Sequence, residues 1–108
     1  MAHERQKVAP CIASCVNDRH TRLFLEVELP GVKKEDIKLI MHEDSLYLTA
    51  VREDGYIEYA TTYDLCCPVK AKEAEAKYEN GLLKIKVPFT RVLEGPVEDI
   101  EIRNNVRF

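Results

Sequence analysis

No stretch of this chain approaches the roughly 20 consecutive apolar residues that a membrane-spanning helix needs, so a membrane is excluded as an expected partner. Positive charge is not in excess either. Sixteen Lys and Arg stand against 19 Asp and Glu, for a net charge of -3, and a chain without a basic surplus offers no electrostatic footprint for a phosphate backbone. Nucleic acid is therefore excluded as well. None of the four glycines lies in a phosphate-cradling loop, and no two of His3, His20 and His42 have metal-ligand spacing on one strand face. The histidines read as solvated turn residues, and Ser45 after Asp44 as a serine opening a strand rather than a nucleophile served by His42. No catalytic residue, metal or cofactor is expected, and the chain does not read as an enzyme. The polar start MAHERQK lacks the apolar centre of a signal peptide, so a cytoplasmic location is expected.

The four cysteines fall in two pairs. Cys11 and Cys15 share one face of an extended segment at a separation of about 13 Å, beyond the reach of a disulfide or a shared metal. Cys66 and Cys67 are adjacent and, in an extended segment, point to opposite faces. The simplest reading is small buried hydrophobes in a reducing compartment; a zinc or redox site formed by the two pairs meeting in space is the alternative.

What is present is strand pattern punctuated by turns. At 108 residues a single domain buries roughly 60–68% of its unfolded surface and needs neither disulfide nor metal to hold a core. Asn80-Gly81 is the strongest hairpin signal, since both central positions of a type I′ turn require positive φ. Beyond it Leu83, Ile85, Val87 and Phe89 share one face while Lys84 and Lys86 take the other. Residues 1–9 are too polar and short for an element of their own and read as a frayed start. A first strand over 10–16 leads to a turn at Asn17-Asp18-Arg19-His20, and Leu23, Leu25, Val27 and Leu29 then alternate with Phe24, Glu26 and Glu28 up to Pro30-Gly31. Lys33 to Asp36 fits one helical turn, after which Ile37, Leu39 and Met41 face inward and Ile40 is left outward, apolar and in need of cover. Turns at Glu43-Asp44 and Glu53-Asp54-Gly55 flank a strand over 46–51, and a long β-rich run from Tyr56 stops before Pro68. Residues 70–73 form a short turn before a strand through Ala74, Ala76 and Tyr78, because eight residues of helix-forming composition cannot hold an isolated helix. The pattern is an all-β, antiparallel immunoglobulin-like sandwich. Its domain spans residues 8–89, preceded by a short tail at 1–7 and followed by an extension at 90–108 that carries Gly95-Pro96 and then Ile100-Glu101-Ile102.

The run Glu28-Leu29-Pro30-Gly31-Val32-Lys33-Lys34-Glu35-Asp36-Ile37, the strand Leu46-Tyr47-Leu48-Thr49-Ala50, and Ala76-Lys77-Tyr78-Glu79-Asn80-Gly81-Leu82-Leu83 together resemble the α-crystallin domain of small heat-shock proteins. Ile100-Glu101-Ile102 is similar to that family's C-terminal Ile-x-Ile anchor, and the resemblance covers roughly residues 8–103. It implies an ATP-independent holdase that binds unfolded or misfolded clients and self-associates through its tail and edge strands. The tail anchor is then Ile100 and Ile102, the groove and edge-strand residues are Lys38, Ile40, Ala76 and Tyr78, and the signature hairpin is Asn80, Gly81 and Leu83. Burying two isoleucines is worth about 3–6 kcal/mol gross, from which ordering the tail subtracts, so each docking event is weak and exchangeable. From Phe89 to Ile100 the tether extends up to about 36 Å, which permits docking on its own domain or a neighbour's. The turn at Glu53-Asp54-Gly55 replaces the long loop that prokaryotic and plant members exchange between subunits. In that respect the chain is closer to the CS-domain co-chaperones, which share the sandwich and bind a folded partner; a CS-like adaptor is the second reading.

Overall fold

Short runs of alternating apolar and polar side chains satisfy their backbone by lateral pairing, with the apolar parity turned to a common interior. The computed structural model, which describes residues 5–91, has this arrangement. Its strands are β1 (Gln6–Val8), β2 (Ile12–Val16), β3 (Arg22–Glu28), β4 (Val32–Met41), β5 (Ser45–Arg52), β6 (Ile57–Asp64), β7 (Glu75–Glu79) and β8 (Leu82–Pro88), with a 3₁₀ turn at Ala71–Glu73. They form two four-stranded sheets, ordered β1-β6-β5-β4 and β2-β3-β8-β7. The sandwich expected from the sequence is the fold. Every pairing is antiparallel except that of β1 with β6.

The core follows from parity. Leu23, Leu25 and Val27 of β3 and Leu83, Ile85 and Val87 of β8 meet Leu46, Leu48 and Ala50 of β5 and Tyr59 of β6, with Leu29, Val32, Val69 and Phe89 closing the ends. Asn80 and Gly81 have φ of 51° and 78°, as a type I′ turn demands. The turn before β3 is fixed by Asn17, whose Oδ1 accepts the Thr21 and Arg22 amides at 2.8 Å each, while its Nδ2 donates to Thr21 Oγ1 at 2.8 Å. A short side chain that hydrogen-bonds nearby backbone is what makes Asn favourable in a turn.

Three expectations are corrected. Lys33 to Asp36 do not form a helical turn but continue β4, bulging away from β5: Val32 pairs with Arg52 and Ile37 already with Ala50. One isolated turn fixes three residues for a single hydrogen bond, whereas a bulge keeps the strand direction on both sides. Residues 6–8 are not frayed; they pair in parallel with β6, and the Gln6 amide donates to the Tyr56 carbonyl at 2.9 Å. Only Val8 in that segment is apolar, so the pairing comes from the available edge of β6, a non-local cause. Third, the cysteines are not a buried set: Cys11, Cys15 and Cys66 are exposed and Cys67 is half-buried, all of them free. Cys15 lies opposite Phe24 on the outward parity of its sheet, and Cys66 and Cys67 occupy a bend beyond the end of β6 rather than extended strand.

Candidate functional site: the open margin between β4 and β7

Among the described residues each sheet ends in an edge strand on the same side of the sandwich, the ten-residue β4 in one and the five-residue β7 in the other. The two sheets are tied together at both flanks. On one, Tyr63 Oη lies 3.3 Å from Ser14 Oγ. On the other, the Tyr78 hydroxyl reaches from β7 to the carbonyls of Leu29, at 2.7 Å, and Val32, at 2.8 Å. That hydroxyl closes one end of the margin and holds the crossover at Pro30-Gly31 in place. Burial is the main cause that raises the Tyr78 pKa above its ordinary value, opposed by the hydrogen bond to Val32.

Along the margin the inward parity is incompletely covered. On β4 Ile37, Leu39 and Met41 pair opposite the buried Ala50, Leu48 and Leu46, yet remain half-buried, with no further strand beside them among the described residues. On β7 Ala76 and Tyr78 are opposite Ile85 and Leu83 and so share the inward parity; Tyr78 and the preceding Ala74 are half-buried, while the Ala76 methyl is too short to reach cover and stays exposed. An apolar slot beside unpaired backbone is suited to an extended apolar segment, which supplies both hydrogen bonds and side chains for the slot.

The residues singled out from sequence fall on different faces. Ala76 and Tyr78 line the margin. Lys38 and Ile40 lie on the outer face of β4, opposite Thr49 and Tyr47. There Ile40 (38% exposed) and Tyr47 (40%) form an outward apolar pair. The lining side chains of β4 are Ile37, Leu39 and Met41, which the alternation already turned inward but which sequence reasoning did not assign to the groove. Asn80, Gly81 and Leu83 build the hairpin that sets β7 against β8. Ile100 and Ile102, like His3, lie outside the described residues.

A second feature, absent from the sequence reading, is a depression of about 440 Å³ on the outer face of the second sheet, bordered by the outward residues Phe24, Glu26, Glu75, Lys77, Lys84 and Lys86. The alternation of Leu23, Phe24 and Leu25 was the available signal, since it turns an aromatic ring outward. Among the described residues no three His, Cys, Asp or Glu side chains gather as metal ligands. The hairpin from β5 to β6 is tight, with the Gly55 amide donating to the Arg52 carbonyl at 2.8 Å, so β6 stays in its own sheet.

This architecture is the β-sandwich of small heat-shock proteins. Heat shock protein 16.0 from Schizosaccharomyces pombe superposes with a TM-score of 0.71 over 89% of this chain and 99% of its own, at 23% identity. A mutant of hsp14.1 from Sulfolobus solfatataricus P2 does so at 0.66, over 89% and 80%, with 26% identity. The family model for the Hsp20/alpha crystallin family matches residues 16–103, and the chain belongs to that family. Among curated relatives, a mitochondrial 23.6 kDa heat shock protein from Arabidopsis thaliana is 29% identical over 99 residues, covering 81% of this chain and 47% of that protein. A probable 15 kDa heat shock protein from Leptospira interrogans is 25% identical over 88 residues, covering 70% and 68%. The chain thus spans about half the length of its Arabidopsis relative. The CS-like reading, prompted by the short turn at Glu53–Gly55, is not the one these likenesses favour.

Proposed function

We propose that this chain is an ATP-independent holdase of the small heat-shock type, binding partly unfolded proteins in the cytoplasm, without catalysis, and assembling with its own copies through the Ile100-Glu101-Ile102 tail. The observation that carries the reading is the margin between β4 and β7, where Ile37, Leu39, Met41, Ala74 and Tyr78 are left half-covered by the fold itself. Such a slot accepts an extended apolar segment at modest affinity, because ordering the segment offsets much of what burial contributes. Weak contacts repeated across an assembly hold by multivalency and still exchange. The tail and a client's exposed strand share the chemistry that fits the slot, so they compete for it.

The test is light scattering from a heat-denatured client in the absence of nucleotide. Scattering is expected to fall progressively as this protein is added up to a several-fold excess. Unchanged client aggregation at that excess overturns the holdase reading.

A further inference from the structure

Beyond β6 the chain turns through a bend that holds Cys66 and Cys67 side by side. The flanks of the bend are fixed. The Leu65 amide donates to the Asp44 carbonyl at 2.9 Å and the Val69 amide to the Glu43 carbonyl at 2.8 Å, so both ends are held by the β4–β5 turn. Val69 also bridges to Phe89, and the Thr90 amide donates to the Pro68 carbonyl at 3.0 Å. Val69 and Phe89 are core residues, 2% and 4% exposed, so the bend rests on packed structure. Within it the thiols differ: Cys66 is exposed, while Cys67 is half-buried and packs against the core. Burial raises the Cys67 pKa, and the neighbouring Cys66 pushes it the same way.

Two adjacent thiols are poorly placed for a direct disulfide. Consecutive Cα atoms stand about 3.8 Å apart across a trans peptide, short of the roughly 4.4–6.8 Å that an unstrained disulfide spans. Inserting one atom between the sulfurs removes that conflict, because the sulfurs no longer have to approach to bonding distance. Thiols select soft centres over hard ones. Tetrahedral zinc needs further ligands, and no third ligating side chain joins this pair among the described residues. The geometry therefore suits a soft centre that binds through two sulfurs.

We propose that Cys66 and Cys67 form a two-sulfur clamp for a trivalent arsenical. Binding is a condensation: an organoarsenic oxide exchanges its oxygen for the two sulfurs, two As–S bonds form, and the oxygen leaves as water with the two thiol protons. Arsenic stays trivalent and no oxidant or reductant is consumed. Cys66 supplies the accessible first sulfur, and Cys67 closes the chelate intramolecularly from the side of the core.

The experiment is a titration of the reduced full chain with phenylarsine oxide, followed by intact mass, on the wild type, Cys66→Ser, Cys67→Ser and the double variant Cys11→Ser/Cys15→Ser. One arsenical per chain is expected for the wild type and the double variant, resistant to excess monothiol and released by a dithiol. Either single replacement at the bend should weaken binding about a hundredfold or more, the loss that accompanies removal of one arm of a chelate. Cys66 is exposed, so its replacement leaves the core intact and separates loss of the site from loss of folding. Wild-type affinity in Cys66→Ser, or its loss in Cys11→Ser/Cys15→Ser, overturns the assignment.

Discussion

Gly31 and Tyr78 show how single residues set the crossover between the sheets. Gly31 has φ of 77°, and a Cβ added there meets the Arg52 Cγ at 2.9 Å; its carbonyl also accepts the Glu53 amide at 2.8 Å. Gly31→Ala is expected to destabilise by about 1–3 kcal/mol, the usual cost of a non-glycine residue forced into a sparsely populated backbone region with a contact to relieve. Chemical denaturation with the midpoint compared at constant slope checks it. Tyr78→Phe deletes the hydroxyl shared by the Leu29 and Val32 carbonyls, and a loss of about 1–2 kcal/mol is expected near neutral pH. The same variant carries a pH signature. Because the folded protein holds the Tyr78 proton more tightly than the unfolded chain does, this contribution to stability is complete below the ordinary value of 10.0 and is lost as pH rises through the higher folded value. Alkaline denaturation of the wild type should therefore show an added downward slope as pH rises from 10.0 through the higher folded value, absent in Tyr78→Phe; parallel curves would refute the linkage.

At the scale of elements, the two faces of an edge strand lie in different surroundings. Ala76 is on the inward parity of β7, opposite Ile85, and Ile40 on the outward parity of β4, opposite Tyr47. Both are exposed, so charged replacements at either leave the core packed and should change stability by no more than about 0.5 kcal/mol. Ala76→Glu places a carboxylate where, on the proposed reading, the slot receives an apolar segment, and an unpaired charge taken out of water is costly. Client suppression is expected to need several-fold more Ala76→Glu than wild-type protein, with a much smaller change for Ile40→Lys. Equal effects in the scattering assay would move the binding surface from the margin to the outer face.

For the whole molecule the governing quantity is the number of weak contacts held together. On the proposed assembly a single tail contact contributes little net free energy, but linked copies raise the effective concentration of each further contact. Ile100→Gly/Ile102→Gly removes the proposed apolar anchor while leaving the sandwich residues unchanged. Light scattering behind a sizing column is expected to give a smaller mass for the variant than for the wild type. An unchanged mass would mean that the tail does not link subunits.

Sequence by itself determined the sandwich and its interior. The alternations through Leu23–Leu29 and Leu83–Phe89 admit one buried parity, since a slip of one residue turns every side chain to the other face. Asn80-Gly81 likewise left one kind of turn, because few residue pairs tolerate positive φ at both positions. Tertiary structure alone decided the rest. Val8 gave no periodic signal, and β1 exists because β6 offers it an edge; Lys33 to Asp36 read locally as a turn, and pairing with β5 drew them into a bulged strand. The margin belongs to this second group. Parity turned Ile37, Leu39 and Ala76 inward, but whether an inward residue is covered depends on which strand lies beside it, and sheet order is fixed by pairings between segments distant along the chain.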